Sequence, residues 1–344
     1  MPADPPPTYR AMVLPRRRAA LAAVERATPR PNGREVLLRV AACAVCRTDI
    51  HVVDGELDRG ILPVVPGHQI VATVVAAGPD VAEVRVGDRV GVSWLASACG
   101  ICDQCRSGRE NLCDDARFTG CDVDGGFAEY LIADARFCLP LPAGYGDIEV
   151  APLLCGGLIG YRALLMAGEA PRLGLYGFGS AAHMLIQVAR HRGATVYAYT
   201  RPGDEESQAF ARRLGAAWAG DSTLPGPTPL DAAIIFASAG QLIPLALAAL
   251  RPGGTVVCAG IHMSDIPTFP YSLLWHERSI RSVANLTRQD GVDFMRLAGE
   301  IHIEVETEVH PLADADRALS RLRLGQVRGT AVLVPATPGG VISR

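Results

Sequence analysis

The sequence predicts a two-domain α/β protein, a partly open β-barrel assembled from both chain ends with a doubly wound parallel sheet inserted between them. From Tyr9 to Ala143 the chain reads as short strands broken by glycine and proline turns, whereas after Pro152 strands alternate with helices. A glycine-rich turn stands at the first strand-to-helix junction of that second stretch. A length of 344 residues is also more than one hydrophobic core usually needs.

Taken in order, residues 1–8 form a proline-rich arm (Pro2, Pro5, Pro6, Pro7) that cannot bury apolar surface. Val36–Val40, Ile70–Val75 and Arg89–Val92 are typical strands of the first domain. In the second, Leu173–Tyr176 is a short apolar strand, followed by a helix over Ala181–His191 and a strand over Thr195–Tyr199. A helix around Phe210–Leu214 follows, then strands at Ala232–Phe236 and Thr255–Ala259 with a Leu/Ala-rich helix between them. After Thr287 one more helix and a terminal strand, Thr330–Val334, are expected to rejoin the first domain. The predicted boundaries are 1–156 with 288–344 for the first domain and 157–287 for the second.

Composition narrows the function classes. Apolar residues make up 49% and charged residues 20%, as in a packed enzyme, and the formal net charge is −3 without a basic or acidic block. Nucleic acid and anionic membranes are therefore not expected as partners, because both need clustered cations. Every basic residue is Arg and Lys is absent, which reads as codon bias. No apolar run has the length of a membrane span, and the proline-rich start lacks the apolar centre of a signal peptide. A cytoplasmic location is expected. There, ten cysteines point to metal or catalysis before disulfides.

Four of those cysteines, Cys99, Cys102, Cys105 and Cys113, form C-x2-C-x2-C-x7-C in a loop rich in Gly, Asp and Arg. Two-residue gaps let neighbouring thiolates converge on one ion, and four sulfurs with no open position suit a structural zinc. Iron–sulfur runs usually end in Cys-Pro or recruit a distant cysteine. A second set is dispersed: Cys46 in Cys-Arg-Thr-Asp, His68 in Pro-Gly-His-Gln, and Cys155 in Leu-Leu-Cys-Gly-Gly. Taken singly, each also reads as a small buried thiol or a satisfied core histidine.

Gly177-Phe178-Gly179-Ser180-Ala181-Ala182 follows an apolar strand and opens a helix, the G-x-G-x-x-A turn of a Rossmann nucleotide site. Glycine lets the backbone approach a pyrophosphate, and the helix N-terminus offers N–H groups and a favourable dipole. The next strand ends Tyr199-Thr200-Arg201 and not in the carboxylate that binds a ribose 2′-hydroxyl. A hydroxyl and a guanidinium favour a 2′-phosphate, so NADP(H) is expected over NAD(H).

Cys46-Arg47-Thr48-Asp49, the Gly67-His68 turn, the cysteine quartet and Leu153-Leu154-Cys155 occur in an order and spacing that resemble the zinc-dependent alcohol dehydrogenases of the medium-chain dehydrogenase/reductase superfamily. The likeness spans essentially the whole chain past the arm. It implies a GroES-like fold for the barrel domain and a catalytic zinc on Cys46, His68 and Cys155, with the fourth position open to substrate oxygen. It also implies two zinc ions per chain, Asp49 as the acceptor that orients His68, and Thr48 beside the substrate oxygen. His51 matches the histidine that receives the proton after the cofactor ribose. Arg47 and Arg328 would flank the pyrophosphate, Gly260 and Ile261 would lie by the nicotinamide, and Leu286 near its carboxamide. Trp94 stands where relatives place an aromatic beside the substrate, and an indole there favours unbranched primary alcohols or aldehydes. Relatives are homodimers or homotetramers.

Two positions depart from the family pattern. Gln69 replaces a glutamate that can approach zinc during ligand exchange and that pairs with the arginine matched by Arg328. A neutral amide is a poorer ligand and loses the ionic pairing. Ile159 stands where many relatives have Thr against the nicotinamide. Two other readings compete with the dehydrogenase: an alkene or quinone reductase of the same superfamily, which usually lacks the three catalytic ligands, and a non-catalytic, zinc-stapled nucleotide sensor.

Overall fold

Strand β1 (Thr8–Val13) alternates exposed and buried residues and pairs antiparallel with β2 (Ala22–Ala27), Thr8 opposite Ala27. The expected arm is thus shorter than its composition implied, since Thr8 already belongs to a strand. The computed structural model describes residues 5–336, so the first four residues of that arm lie outside the description.

Next come β3 (Glu35–Ala44), helix α1 (Arg47–Asp54), β4 (Gln69–Ala77), β5 (Arg89–Val92), β6 (Leu95–Ser97), α2 (Asp103–Arg106), β7 (Arg117–Phe118), β8 (Tyr130–Asp134), β9 (Cys138–Pro140) and α3 (Asp147–Val150). The middle of the chain supplies α4 (Gly156–Ala167), β10 (Arg172–Tyr176), α5 (Ser180–His191), β11 (Thr195–Thr200), α6 (Glu205–Arg213), β12 (Trp218–Asp221), β13 (Leu230–Ile235), α7 (Leu242–Ala249), β14 (Leu250–Cys258) and β15 (Ser279–Ser282). The chain closes with α8 (Arg288–Ile301), β16 (Thr307–Pro311), α9 (Ala315–Arg323) and β17 (Thr330–Val334).

These elements form two compact units. One holds the chain up to Cys155, Leu286–Glu300 and the chain from Val305; the other holds Gly156–Asn285 and Ile301–Glu304. In the first, a seven-stranded sheet runs β16-β17-β3-β4-β5-β9, with β8 also paired to β3. Its core gathers Leu38, Val40, Ile70, Val74, Phe127 and Leu333, among others. Leu38 and Ile70 are fully buried, and truncating either to Ala costs about 2–5 kcal/mol. In the second unit six parallel strands run β12-β11-β10-β13-β14-β15, the 3-2-1-4-5-6 order of a doubly wound nucleotide-binding sheet.

The C-terminal stretch is richer than the sequence suggested, with two helices and two strands after Thr287. Helix α9 buries only Ala315, Ala318 and Leu319 among its arginines, so its apolar stripe is thin. Strand β16 buries His310 and leaves Val309 half exposed, the reverse of the alternation that signals a strand. Among the described residues no single helix is long and apolar enough to cross a membrane.

Candidate active site

The antiparallel register of β3 and β4 builds the first half of the site. Ala44 pairs with Gln69 and Cys43 with Ile70, so Cys46, just past the end of β3, and His68, just before β4, are brought side by side. Gly67 makes that approach possible: its φ is 96°, and a Cβ there would run into the Phe127 ring. The third residue arrives from far along the chain. Ala151–Leu154 forms one fully buried turn of 3₁₀ helix packed over β3, β4 and β5, and Cys155 follows it.

The result is a cluster of one nitrogen and two sulfurs. Cys46 Sγ lies 3.3 Å from His68 Nε2 and 3.9 Å from Cys155 Sγ, and the three ligand atoms all lie within 4.8 Å of one another. Two sulfurs bound at about 2.3 Å to one tetrahedral ion stand about 3.8 Å apart, so the spacing fits zinc. A disulfide would need about 2.05 Å, and all the cysteines are free.

Asp49 ties this cluster to helix α1. One carboxylate oxygen accepts the Cys46 N–H at 2.8 Å, capping the helix, and the other lies 3.1 Å from His68 Nδ1. That second contact is an ion pair and not a well-aligned hydrogen bond. Burial opposes the charged imidazole, yet the Asp49 and Cys46 charges outweigh it and push His68 up to about 10. Burial in turn lifts the Asp49 carboxyl above its ordinary value, against the pull of His68. The hydrogen bond from Cys155, helped by His68 and Thr48, holds the Cys46 thiol far below its usual range, while Cys155 is driven up. Two sulfurs and one imidazole nitrogen converge in one dry cluster, a donor set that a divalent cation would satisfy by displacing the thiol and ring protons.

The surroundings sort the other expected residues. Trp94 is buried and meets His68 edge to face, ring centres 4.9 Å apart, so it does wall the cluster. Phe118 stacks on Trp94 at 5.2 Å, a second aromatic that the sequence reading missed. Gln69 is buried, and neither its amide nitrogen nor its oxygen has a hydrogen-bond partner. Arg328, expected opposite it, is instead an exposed residue paired with Glu306 at 3.1 Å. His51 is buried on α1 with Nδ1 2.5 Å from Glu56 Oε2; Glu56 too escaped the sequence reading. Arg47 is exposed at the start of α1, and Thr48 is half buried beside Cys46.

The cysteine quartet makes a separate cluster in the same unit. Cys99 Sγ lies 3.9 Å from Cys105 Sγ and 3.5 Å from Cys113 Sγ, and the four sulfurs lie within 4.8 Å of one another. The amides of Ile101 and Cys102 point at Cys99 and hold its thiol down at about 6. Glu110, inside the loop, accepts from the Arg288 backbone and guanidinium and so fastens the loop to α8.

In the second unit Gly177 has φ 87° and packs so close to the Ala237 backbone that a Cβ would crowd it. Gly179 precedes the first turn of α5, Ser180 and Ala181, and a Cβ there would meet open space. Phe178 points inward, buried and edge-on to Phe210, so only its backbone faces the turn. At the end of β11 Thr200 is buried, its hydroxyl near the Gly220 carbonyl and accepting from Gln208, whereas the Arg201 guanidinium is 85% exposed. The hydroxyl expected to greet a 2′-phosphate is thus already engaged, and Arg201 is the group presented outward. Gly260 lies just past β14, with Ile261 half exposed; Ile159 is half buried on α4, and Leu286 is buried in the first unit.

The chain as a whole is similar to known proteins. Residues 32–143 match the alcohol dehydrogenase GroES-like domain family, and residues 182–300 the zinc-binding dehydrogenase family. A probable alcohol dehydrogenase AdhA of Mycobacterium tuberculosis is 48% identical over 89% of this chain and 90% of its own length. An alcohol dehydrogenase of Geobacillus stearothermophilus is 34% identical over 89% and 93%. The solved structure of a thermostable alcohol dehydrogenase from Pyrobaculum aerophilum superposes with a TM-score of 0.87 at 27% identity, covering 95% of this chain and all of that one. With both family matches in register and a close relative along most of its length, this chain belongs to the zinc-dependent, nicotinamide-nucleotide alcohol dehydrogenases of the medium-chain dehydrogenase/reductase superfamily.

Proposed function

We propose that the chain interconverts a primary alcohol and its aldehyde with two zinc ions per chain and a preference for NADP(H) over NAD(H). It would do so in the cytoplasm as a homodimer or homotetramer, with a catalytic domain at 1–156 and 288–344 and a nucleotide-binding domain at 157–287. The meeting of Cys46, His68 and Cys155 from three distant segments carries this reading.

Those three residues would hold the catalytic ion, and Cys99, Cys102, Cys105 and Cys113 the structural one. When bound, the catalytic zinc supplies Lewis acidity toward an alcohol or carbonyl oxygen, and the nucleotide supplies or takes hydride. Asp49 orients the His68 ring, and the edge contact of Trp94 narrows the space beside it toward unbranched substrates. Thr48 accepts a hydrogen bond from the substrate hydroxyl, and His51 takes up the proton at the end of the relay. Gln69, buried with an unpartnered amide, replaces the usual acid near the exchanging position. The backbone of Gly177, Phe178, Gly179, Ser180 and Ala181 would cradle the pyrophosphate, with Arg47 and Arg328 neutralising it. Gly260, Ile261 and Leu286 would line the nicotinamide. Arg201, exposed beside Thr200, supports the NADP(H) preference.

Metal analysis tests the reading directly. Two zinc ions per chain support it; one supports the alkene or quinone reductase, or the non-catalytic sensor. In Cys46→Ser one equivalent of zinc should be lost and alcohol oxidation should fall about a thousandfold, with the fold retained. A panel of primary and secondary alcohols assayed with NADP and NAD separately completes the test, and a preference for NAD removes the role of Arg201.

A further inference from the structure

We propose that Glu56 is a positioning residue for His51, choosing which ring nitrogen receives a proton; the role rests on the relay proposed above. The pair is built by the way helix α1 ends. Gly55 takes a left-handed conformation (φ 71°, ψ 34°), its N–H donating to the Val52 carbonyl, and the Glu56 N–H then turns back to the His51 carbonyl at 3.0 Å. These two reversed bonds make a Schellman closure, which sets the side chain after the glycine against the one five residues earlier. A Cβ at position 55 would collide with the Arg17 side chain, so the closure depends on glycine there. Such closures commonly bring two apolar side chains together. Here the two are an imidazole and a carboxylate.

His51 Nδ1 stands 2.5 Å from Glu56 Oε2; the imidazole is 8% exposed and the carboxylate 39%. A carboxylate can only accept, so the ring proton belongs on Nδ1 and the lone pair on Nε2. Glu56 thereby makes Nε2 the nitrogen that takes up a proton. Once it has done so, both ring nitrogens carry protons and Nδ1–H still donates to the Glu56 carboxylate. The step breaks the O–H bond of the last hydroxyl in the relay, forms one N–H bond at Nε2 and leaves every carbon bond untouched, and the proton later returns to water past the half-exposed Glu56. Arg17, Arg59 and Cys121 line the small cavity beside His51, and Arg59 is held by Asp122 at 2.7 Å.

Three variants, Glu56→Gln, His51→Gln and the double substitution, test this with two readouts. In the first, ¹⁵N shifts of the imidazoles in the nucleotide-free protein report the tautomer, the His51 signal being the one lost in His51→Gln. We expect Nδ1–H in the parent and a shift toward Nε2–H in Glu56→Gln. In the second, kcat for alcohol oxidation should fall about tenfold in Glu56→Gln with KM within about twofold, and the double variant should be no slower than His51→Gln alone. An unchanged rate in His51→Gln removes the relay on which the role rests. An unaltered His51 tautomer, or a loss in Glu56→Gln that adds to that of His51→Gln, overturns the role of Glu56 itself.

Discussion

The two sulfur clusters of the first unit solve the same coordination problem by opposite means. The quartet draws four sulfurs from one loop, three of them half buried and Cys113 buried, with backbone amides turned onto Cys99. The other cluster draws two sulfurs and a nitrogen from segments as far apart as Cys46 and Cys155, and its histidine is buried. A local site can be set by turn geometry alone. A dispersed one exists only where sheet register and packing already hold, so the quartet should matter most to stability and the dispersed set to chemistry.

Breaking the quartet is the strongest test of that contrast. Cys99→Ser should release one zinc, destabilise the protein by about 3 kcal/mol or more and lower Tm by about 10 °C, as thermal unfolding would read. The surviving folded molecules should keep most of their turnover. Substantial loss of turnover per folded molecule would abolish the division of labour.

On the dispersed side, Asp49→Asn leaves a similar shape but removes the charge facing His68 and weakens the cap on Cys46. Zinc affinity or turnover should drop about 10- to 100-fold with a smaller change in Tm, read by metal competition and steady-state rates. If Tm falls as far as in Cys99→Ser, the dispersed cluster is also a structural staple.

A third charged site, in the parallel sheet, supplies a control without sulfur or metal. Asp231 is nearly buried and accepts from the Arg172 backbone and guanidinium, and from Arg251. The Arg172 contact, with help from Arg251, holds its carboxyl far below the ordinary range. A depressed folded value means the stabilisation is complete above the unfolded value of about 3.9 and is lost as pH falls through the folded one. Asp231→Asn should cost about 2 kcal/mol at neutral pH, since the partner arginines are 37% and 47% exposed and partly screened. Denaturant titrations should show that gap steady from pH 8 to about 5 and closing below about 4. Chelators should leave it unchanged.

The smallest effect expected is at Gln69. Restoring an acid with Gln69→Glu should raise kcat several-fold, up to about tenfold, if ligand exchange limits turnover. Unchanged steady-state kinetics would remove that account of the substitution.

Much of the architecture was legible in the chain because it rests on short-range rules. Arg89–Val92 and Thr330–Val334 have the strand bounds that their short apolar runs implied, and the Gly177 turn follows its strand and opens its helix. The arginine-laden α9 and the inverted pattern of β16 were not legible, because a thin apolar stripe resembles a solvated loop. Glu56 was hidden for a related reason. Its partner is set by a left-handed glycine at the end of a helix inside a stretch that reads as strands, and nothing in the Glu codes for that turn.

The sequence by itself determined the chemistry on offer: which residues can bind metal, the spacing of the cysteine quartet, and the lack of an acid after Tyr199. Tertiary structure alone decided which of those residues meet. Cys155 comes to Cys46 because a buried turn packs over the sheet, Thr200 turns its hydroxyl inward, and Arg328 answers Glu306 instead of Gln69. The physical reason is that side-chain type is a local property, whereas proximity is set by strand register and burial, which depend on the whole core.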